Sequence, residues 1–235
     1  MKKQFIIYII LALFLIPGLY AQQTIFSKKV TNDIFNQKRG PNLDHYFSGL
    51  LGISSVMPNS SDDYMHTEGF NKLNFQYGLR YKRKICHYYS LVFDLYYFSE
   101  NYYLKNTGLL NTYAINTDRE GLRWQGIGLN FSNRINPFKR RGNHLGNYFD
   151  VGGYLHYGFS REHLLIFDNN DRSQTYLWYQ RPEYLEKISY GVSAGIGVNK
   201  IRLYGRYRIS SALKNVDHLE DLPRLVIGFQ YDIGN

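Results

Sequence analysis

The sequence predicts an all-β fold, an eight-stranded antiparallel up-and-down transmembrane β-barrel. Three observations lead to this fold class: an export signal at the start of the chain, repeated segments in which apolar and polar side chains alternate, and a rhythm of long and short connections between those segments. Successive side chains of a strand point to opposite faces, so the alternation indicates strands with one apolar and one polar side.

Residues 1–21 are predicted to be a cleaved secretory signal peptide. Two lysines precede the apolar run 5–16 (FIIYIILALFLI), and Ala21 is a small residue suited to cleavage before Gln22. The run is short for a membrane span, although an uncleaved anchor is the alternative. After Ala21 there is no further apolar run of about 18 residues, so a membrane crossing by the mature chain requires a closed barrel.

Residues 22–43 are polar and basic with weak periodicity, and we expect a periplasmic N-terminal arm there. A short plug or a partner-binding peptide is the alternative. Residues 44–235 are assigned to the barrel. Its eight segments have about the length that a tilted strand needs to cross a bilayer. They are residues 46–54, 73–82, 88–98, 124–132, 148–159, 188–198, 201–209 and 225–233.

The first four segments each have one apolar or aromatic face. These faces carry Phe47, Gly49, Leu51 and Ile53; Leu73, Phe75, Tyr77, Leu79 and Tyr81; Tyr89, Leu91, Phe93, Leu95 and Tyr97; and Ile127, Leu129 and Phe131. The opposite faces of the second to fourth segments carry Asn74, Gln76, Gly78, Arg80 and Lys82; Ser90, Val92, Asp94 and Tyr96; and Gly126, Gly128, Asn130 and Ser132. Each segment therefore qualifies as an amphipathic strand.

The last four segments repeat the pattern. Their apolar faces carry Phe149, Val151, Leu155, Tyr157 and Phe159; Ile188, Tyr190, Val192, Ala194, Ile196 and Val198; Ile201, Leu203, Tyr207 and Ile209; and Leu225, Ile227, Phe229, Tyr231 and Ile233. The opposite faces carry Asp150, Gly152, Tyr154, His156 and Gly158; Ser189, Gly191, Ser193, Gly195 and Gly197; Arg202, Tyr204, Arg206 and Arg208; and Val226, Gly228, Gln230 and Asp232. We expect the last strand to pair with the first and close the barrel.

The connections alternate in length. The longer ones cover residues 56–72, 100–122, 161–187 and 211–223, and the shorter ones lie around residues 83–85, 136–146 and 199–200. Long extracellular loops and short periplasmic turns are typical of outer-membrane barrels, and an even strand number places both termini in the periplasm. A soluble barrel or sandwich also has one apolar face. The connection lengths, the small and charged residues of the polar face and the aromatic strand ends favour the membrane.

Composition limits the partners. The formal net charge is +9, Tyr occurs 23 times and aromatic residues make up 17% of the chain. Aromatic belts at the two membrane interfaces account for such an excess. For an exported basic chain, membrane lipids and lipopolysaccharide are the expected partners rather than nucleic acid. Cys86 is the single cysteine, so no internal disulfide forms. We expect a monomer, with an envelope protein as a further partner.

The polar faces predict an ionic cluster in the lumen. An eight-stranded barrel is just wide enough for its side chains to fill, and charges in so narrow a space must pair. We expect this structural cluster to comprise Arg80, Lys82, Asp94, Asp150, Arg202, Arg206, Arg208 and Asp232. Asp232 is a candidate partner of Arg80 or of an arginine in the seventh segment. A selective anion path would need a wider barrel.

No catalytic, cofactor or metal site is predicted. His156, Ser160, Glu162 and His163 are of the residue types used in nucleophilic catalysis, but closeness in sequence is not triad geometry. The histidines lack ligand spacing. A different feature is the aromatic string TYLWYQRP, in which we expect either a loop interaction surface or an extension of the strands. Its residues of interest are Tyr176, Trp178 and Tyr179.

Three stretches, YFDVGGYLHYGFSREH, YGVSAGIGVNKIRLYGRYRISSAL and LPRLVIGFQYDI, resemble small outer-membrane β-barrel proteins of the Bacteroidota in the PorT-like group. The resemblance covers most of the mature chain and implies the barrel fold without supplying catalytic residues. One branch of the group is associated with type IX secretion and gliding, but its N-terminal signature is not found here.

The expected function is therefore a non-enzymatic outer-membrane barrel with a role in envelope structure or surface interaction. An accessory component of a secretion system and a lipid-modifying enzyme of the outer membrane are the alternatives.

Overall fold

The computed structural model describes residues 39–57, 73–104, 119–138, 142–168, 174–214 and 221–234. The predicted signal peptide and most of the predicted arm lie outside these ranges. The described part contains nine strands. They are β1 (His45–Met57), β2 (Asn74–Lys84), β3 (Tyr89–Leu104), β4 (Arg119–Ile135), β5 (Asn147–Asp168), β6 (Gln174–Gln180), β7 (Ile188–Val198), β8 (Ile201–Arg208) and β9 (Leu225–Ile233).

Eight of these strands form a closed antiparallel barrel with up-and-down connectivity, which confirms the predicted fold class. Each barrel strand pairs with its neighbours in the chain, with β5 joined to β7 because β6 lies outside the ring. The last strand, β9, pairs with β1 from Gly49 opposite Ile233 to Met57 opposite Leu225. The barrel is therefore closed by the first and last strands, as predicted.

The register gives the dimensions of the barrel. Paired residues followed from Phe47 once around the barrel lead back to Met57, ten residues further along β1 (57 − 47). With a rise of about 3.3 Å per residue and a strand spacing of about 4.8 Å, this stagger corresponds to a strand tilt of about 40° and a backbone radius of about 8 Å. Such a barrel has room inside for side chains and little else.

The two ends of the barrel differ. At the end that we call the turn end, β2–β3, β4–β5 and β7–β8 are joined by residues 85–88, 136–146 and 199–200. Asn199 adopts a positive φ of 54° in the tightest of these turns, a conformation that Asn tolerates better than most residues. The opposite end, the loop end, carries the longer connections. Strand β1 begins and β9 ends at the turn end.

Three strands extend beyond the barrel. β3, β4 and β5 span 16, 17 and 22 residues and continue past the barrel at the loop end, where β6 pairs with β5. The predicted connections 100–122 and 161–187 were therefore too long. A β-bulge between Gln125 and Gly126 in the pairing of β4 with β5 shifts the register. Alternation cannot reveal such a shift, because a bulge inserts one residue and reverses the faces beyond it.

No helix in the described ranges is long and apolar enough to cross a membrane.

Candidate functional site

Most of the buried polar and charged side chains in the described residues lie in the barrel interior. All eight residues of the predicted ionic cluster have buried side chains there. They reach the interior because each lies on the inward side of its strand, between outward residues that are exposed or partly exposed. The interior is divided into a central cluster, a cluster nearer the loop end and a cap at each end.

Arg80 is the centre of the first cluster. Its Nε and Nη2 donate to the two carboxylate oxygens of Asp94 at 2.6 and 2.9 Å, and its Nη1 donates to Asp232 at 2.7 Å. Of the arginines predicted as candidate partners of Asp232, Arg80 is therefore the one that binds it. Nη2 also donates to Gln230 Oε1 at 2.9 Å. One guanidinium thus ties β2 to β3 and β9, because a planar fork matches carboxylate geometry.

A second guanidinium–carboxylate pair lies beside the Arg80 contacts. Arg134 donates from Nε and Nη2 to the two oxygens of Asp150, both at 2.8 Å, and stacks over the Tyr148 ring at 3.6 Å. Arg202 approaches the same carboxylate, with its Nε 3.1 Å from Asp150 Oδ2. Sequence reasoning missed Arg134 because the fourth predicted strand ended at Ser132. Continuing the alternation by one more step would have identified it.

The central cluster balances its own charge. Three arginines (Arg80, Arg134 and Arg202) stand against three aspartates (Asp94, Asp150 and Asp232), and all six side chains are almost completely buried. Neutral side chains add further hydrogen bonds to the cluster: Asn130 donates to Asp94 at 3.0 Å, and Ser193 donates to Asn130 at 2.7 Å. Removing one member would leave an uncompensated charge, which is strongly destabilising in a buried pair.

Arg206 organises the cluster nearer the loop end. Its Nη2 donates to Glu100 Oε1 at 3.0 Å, and its Nη1 lies 3.2 Å from the Tyr96 hydroxyl and 3.0 Å from His156 Nε2. Since Nε2 accepts a hydrogen bond from an arginine, the imidazole is neutral. Glu100 was assigned to a loop because the third predicted strand ended at Phe98; its correct place is in β3, facing inward.

Two connections close the loop end. Arg208 donates to the backbone oxygen of Leu222 and lies 3.5 Å from Asp221, while Arg161 donates to the backbone oxygen of Leu185. Leu185, Ala212 and Leu222 are buried against inward aromatic residues of the barrel. Those aromatic residues include Tyr96, Phe98, Tyr102 and Trp124. The described parts of the β6–β7 and β8–β9 connections therefore fill this mouth with apolar side chains.

The turn end is closed by residues 39–43, the described part of the predicted arm. Lys82 donates to the backbone oxygen of Pro41, and Lys84 donates to that of Asn42 at 2.8 Å. Asn42 is held in turn by Asn143, whose side-chain oxygen accepts from its backbone N–H at 3.0 Å. Lys82 thus contacts the described end of the predicted arm.

The residues considered for nucleophilic catalysis do not converge. Ser160 donates to Glu162 at 3.3 Å near the outer face of β5, whereas His163 is buried on the inner face. His163 contacts the Tyr184 hydroxyl through Nδ1, and its Nε2 lies 3.6 Å from Glu120. Burial and the Glu120 carboxylate raise the pKa of Tyr184 above its ordinary value. In the described residues, no group of three His, Cys, Asp or Glu side chains is placed to hold a metal ion.

The aromatic string, for which either a loop surface or an extension of the strands was expected, is strand β6. Tyr176 and Trp178 are about half exposed, and the Arg123 guanidinium lies 5.7 Å from the Trp178 ring. Tyr179 is less exposed and its ring lies 6.3 Å from that of His163. Strand pairing with β5 places alternate members on opposite faces, so the three residues do not form one continuous patch.

The outer surface of the barrel has the opposite chemistry. Every barrel strand carries large, apolar and exposed side chains on its outward face, as in Phe47 (67%) and Leu79 (65%). Exposed tyrosines include Tyr77, Tyr157, Tyr190 and Tyr207 toward the loop end and Tyr231 toward the turn end. The protein is therefore polar inside and apolar outside, the inverse of a water-soluble barrel.

Comparison with known proteins finds no matching family model, and no curated protein matches the chain.

Proposed function

We propose that this protein is an integral β-barrel of a bacterial outer membrane, with a closed lumen and a role in envelope structure or surface interaction. The observation that carries the proposal is the inverted distribution of side chains. Arginines and aspartates are buried inside, whereas outward Leu, Ile, Phe and Tyr side chains remain exposed on every barrel strand. Apolar patches on soluble monomers rarely exceed a few hundred Å², and a continuous band around a barrel far exceeds that limit.

The dimensions support the same proposal. At a tilt of about 40°, the ten-residue stagger of β1 rises about 25 Å along the barrel axis, which matches the apolar band of outer-membrane barrels. Closure of the sheet leaves no lipid-facing barrel edge, as a membrane requires. The export signal predicted from residues 1–21 and the connection lengths are consistent with this location.

The lumen supports a structural rather than a conducting role. The central cluster spans the interior, residues 39–43 cover the turn end and the two connections cover the loop end. Surface interactions would then fall to the sheet of β3 to β6 that extends beyond the barrel. We propose membership of the PorT-like group on the fold and on the strand pattern of the sequence.

Heat-modifiability tests the proposal. A folded membrane barrel in detergent migrates differently on a gel before and after boiling, because its sheet survives the detergent until it is heated. We expect such a shift, together with recovery of the protein in the outer-membrane fraction and resistance to extraction by carbonate. A protein that stays monomeric and soluble without detergent would overturn the proposal.

A role as an accessory of protein secretion is the second candidate. It is favoured by the contacts of Pro41 and Asn42, which fix the arm at the end of the barrel that would face the periplasm. A periplasmic partner could bind the arm there. Deleting residues 22–43 should then impair secretion of cargo, and unchanged secretion with a folded barrel would contradict this candidate.

A further inference from the structure

The outer face of the barrel carries a long apolar groove. It is a depression of about 700 Å³ whose lining is almost entirely apolar. Two rows of paired outward residues form its walls. The row nearer the turn end is Phe47, Tyr81, Phe93, Phe131 and Gly153, and the row nearer the loop end is Leu79, Leu95, Leu129, Leu155 and Tyr190. The groove therefore runs across the strands from β1 to β7.

The first row is a nearly continuous aromatic wall. Successive ring centroids lie 4.7 Å apart for Phe47 and Tyr81, 6.4 Å for Tyr81 and Phe93, and 4.8 Å for Phe93 and Phe131. The wall then stops at Gly153, which has no side chain. A Cβ at Gly153 would come no closer than 3.4 Å to any atom, so the missing side chain leaves a gap rather than relieving a backbone clash.

The direction of the groove follows from the stagger of the barrel. Each step along a row of paired residues crosses about 4.8 Å and, at a tilt of about 40°, climbs about 3 Å toward the loop end. Four steps from Phe47 on β1 to Gly153 on β5 climb about 12 Å, a little less than half of a hydrocarbon core of about 30 Å. The aromatic row up to Gly153 thus lies within one lipid leaflet.

The two ends of the groove lie at different depths. Its first end is at Phe47, two residues from the start of β1 at the turn end. Its other end is bounded by Tyr190, below the loop-end limit of the apolar band that Met57 and Leu225 mark. Only the first end therefore opens at an apolar–polar boundary.

A positive charge lies at that open end. Arg83 is exposed and is paired in register with His45, two residues beyond the Tyr81–Phe47 pair. The Tyr81 hydroxyl and His45 Nδ1 lie 2.7 Å apart, so the polar edge of the aromatic wall is at the same place. A guanidinium beside an apolar groove fits a phosphate attached to an alkyl chain.

We propose that this groove binds one acyl chain of an anionic glycerophospholipid from the leaflet at the turn end, with its phosphate at Arg83. The inference rests on the proposed membrane location. The chain lies between the aromatic wall and the four leucines and ends near Gly153. The ligand is thus a lipid held in a defined orientation, in contrast to the mobile lipids that surround any membrane protein.

A second depression provides an internal control. It measures about 370 Å³ and includes the outward residues Ala194, Gly205 and Ile227. Counted along the register, these three residues lie near mid-depth on β7, β8 and β9, outside the groove. Gly205 faces outward like Gly153, and the nearest atom to an added Cβ is 3.9 Å away. Leucine can therefore be introduced at either glycine with comparable space.

The test measures lipid retained by the purified full-length mature protein. The barrel is refolded in detergent micelles containing a small proportion of phosphatidylglycerol, washed in detergent and analysed for bound lipid by mass spectrometry. We expect about one phosphatidylglycerol per barrel for the unaltered protein and for Gly205→Leu. Gly153→Leu should lose most of it, and Arg83→Gln should bind about fivefold more weakly, as the loss of one exposed ion pair implies.

A phosphatidylglycerol with a diazirine in its acyl chain identifies the site. We expect its label on the leucine wall, at Leu129 or Leu155. Equal retention by Gly153→Leu and Gly205→Leu, or label spread evenly over the outer face, would overturn the inference. If the protein shows heat-modifiability but fails this test, only the groove is wrong. If it needs no detergent at all, the membrane proposal fails first.

Discussion

The depth of a charge on the last strand provides a direct test of the membrane proposal. β9 spans nine residues with its odd positions outward, and Phe229 is the middle residue. Phe229 and Ile233 are exposed to similar extents, 56% and 49%, on the same strand and the same face. Substituting arginine at each position therefore compares two depths with little other difference.

The expected magnitudes follow from the geometry. At a tilt of about 40°, β9 covers about 20 Å of barrel height, so Phe229 lies about 10 Å from either end of the strand. An arginine facing lipid at the midplane costs about 2–4 kcal/mol, and near the interface about 0–1 kcal/mol. Phe229→Arg should thus lower the free energy of unfolding by about 2–4 kcal/mol, and Ile233→Arg by less than about 1 kcal/mol.

Denaturant unfolding of the barrel in lipid vesicles measures both values. Tryptophan fluorescence reports the transition, since the chain has two tryptophans and Trp124 is buried in the barrel. If the outer face were in water, an arginine at either site would change stability by only about 0.5 kcal/mol. Equal and small effects at the two positions would show that Phe229 does not face lipid.

Three further predictions concern the interior. Asp150→Ala should destabilise the barrel by about 3–5 kcal/mol because it leaves Arg134 buried without its carboxylate. Glu162→Gln removes a partly exposed ion pair and should cost at most about 1 kcal/mol in the same unfolding assay. Similar losses for the two variants would argue against the stabilising role of the central cluster. In planar bilayers the unaltered barrel should show no stable conductance, since its lumen is filled, and regular single-channel steps would contradict this. Deleting residues 22–43 should lower stability by about 2–5 kcal/mol relative to deleting residues 22–38, through loss of the acceptors of two lysines. Equal unfolding midpoints for the two deletions would mean that the turn-end cap is dispensable.

The interior residues could be predicted from the sequence wherever the alternation was uninterrupted. Arg80, Asp94 and Asp232 were each placed inside from their position within a strand, and the pairing of β1 with β9 brought them together. Arg134 and Glu100 were missed because the predicted strands ended too early. The ends of the strands are hard to predict, because sheet extensions beyond a barrel and loops rich in aromatic residues have similar compositions.

The bulge in β5 shows a second limit. Beyond the shift at Gln125 and Gly126, Arg161 and His163 face inward although the alternation of the preceding residues predicts the opposite. Only the pairing with β4 reveals the inserted residue. The closure of the loop end by Arg161 and Leu185 could therefore not be deduced from the sequence of either segment alone.

Alternation within each segment was enough to predict the eight barrel strands, the two faces of each strand inside the barrel and eight of the charged side chains of the lumen, because a period of two residues is local to each strand. The pairing of each arginine with its aspartate, the caps at the two ends and the outer groove can be seen only in the folded barrel. Those features depend on the stagger between strands, which is a property of the closed sheet and not of any segment. For the same reason, the contact between Arg80 on β2 and Asp232 on β9 exists only in the closed barrel.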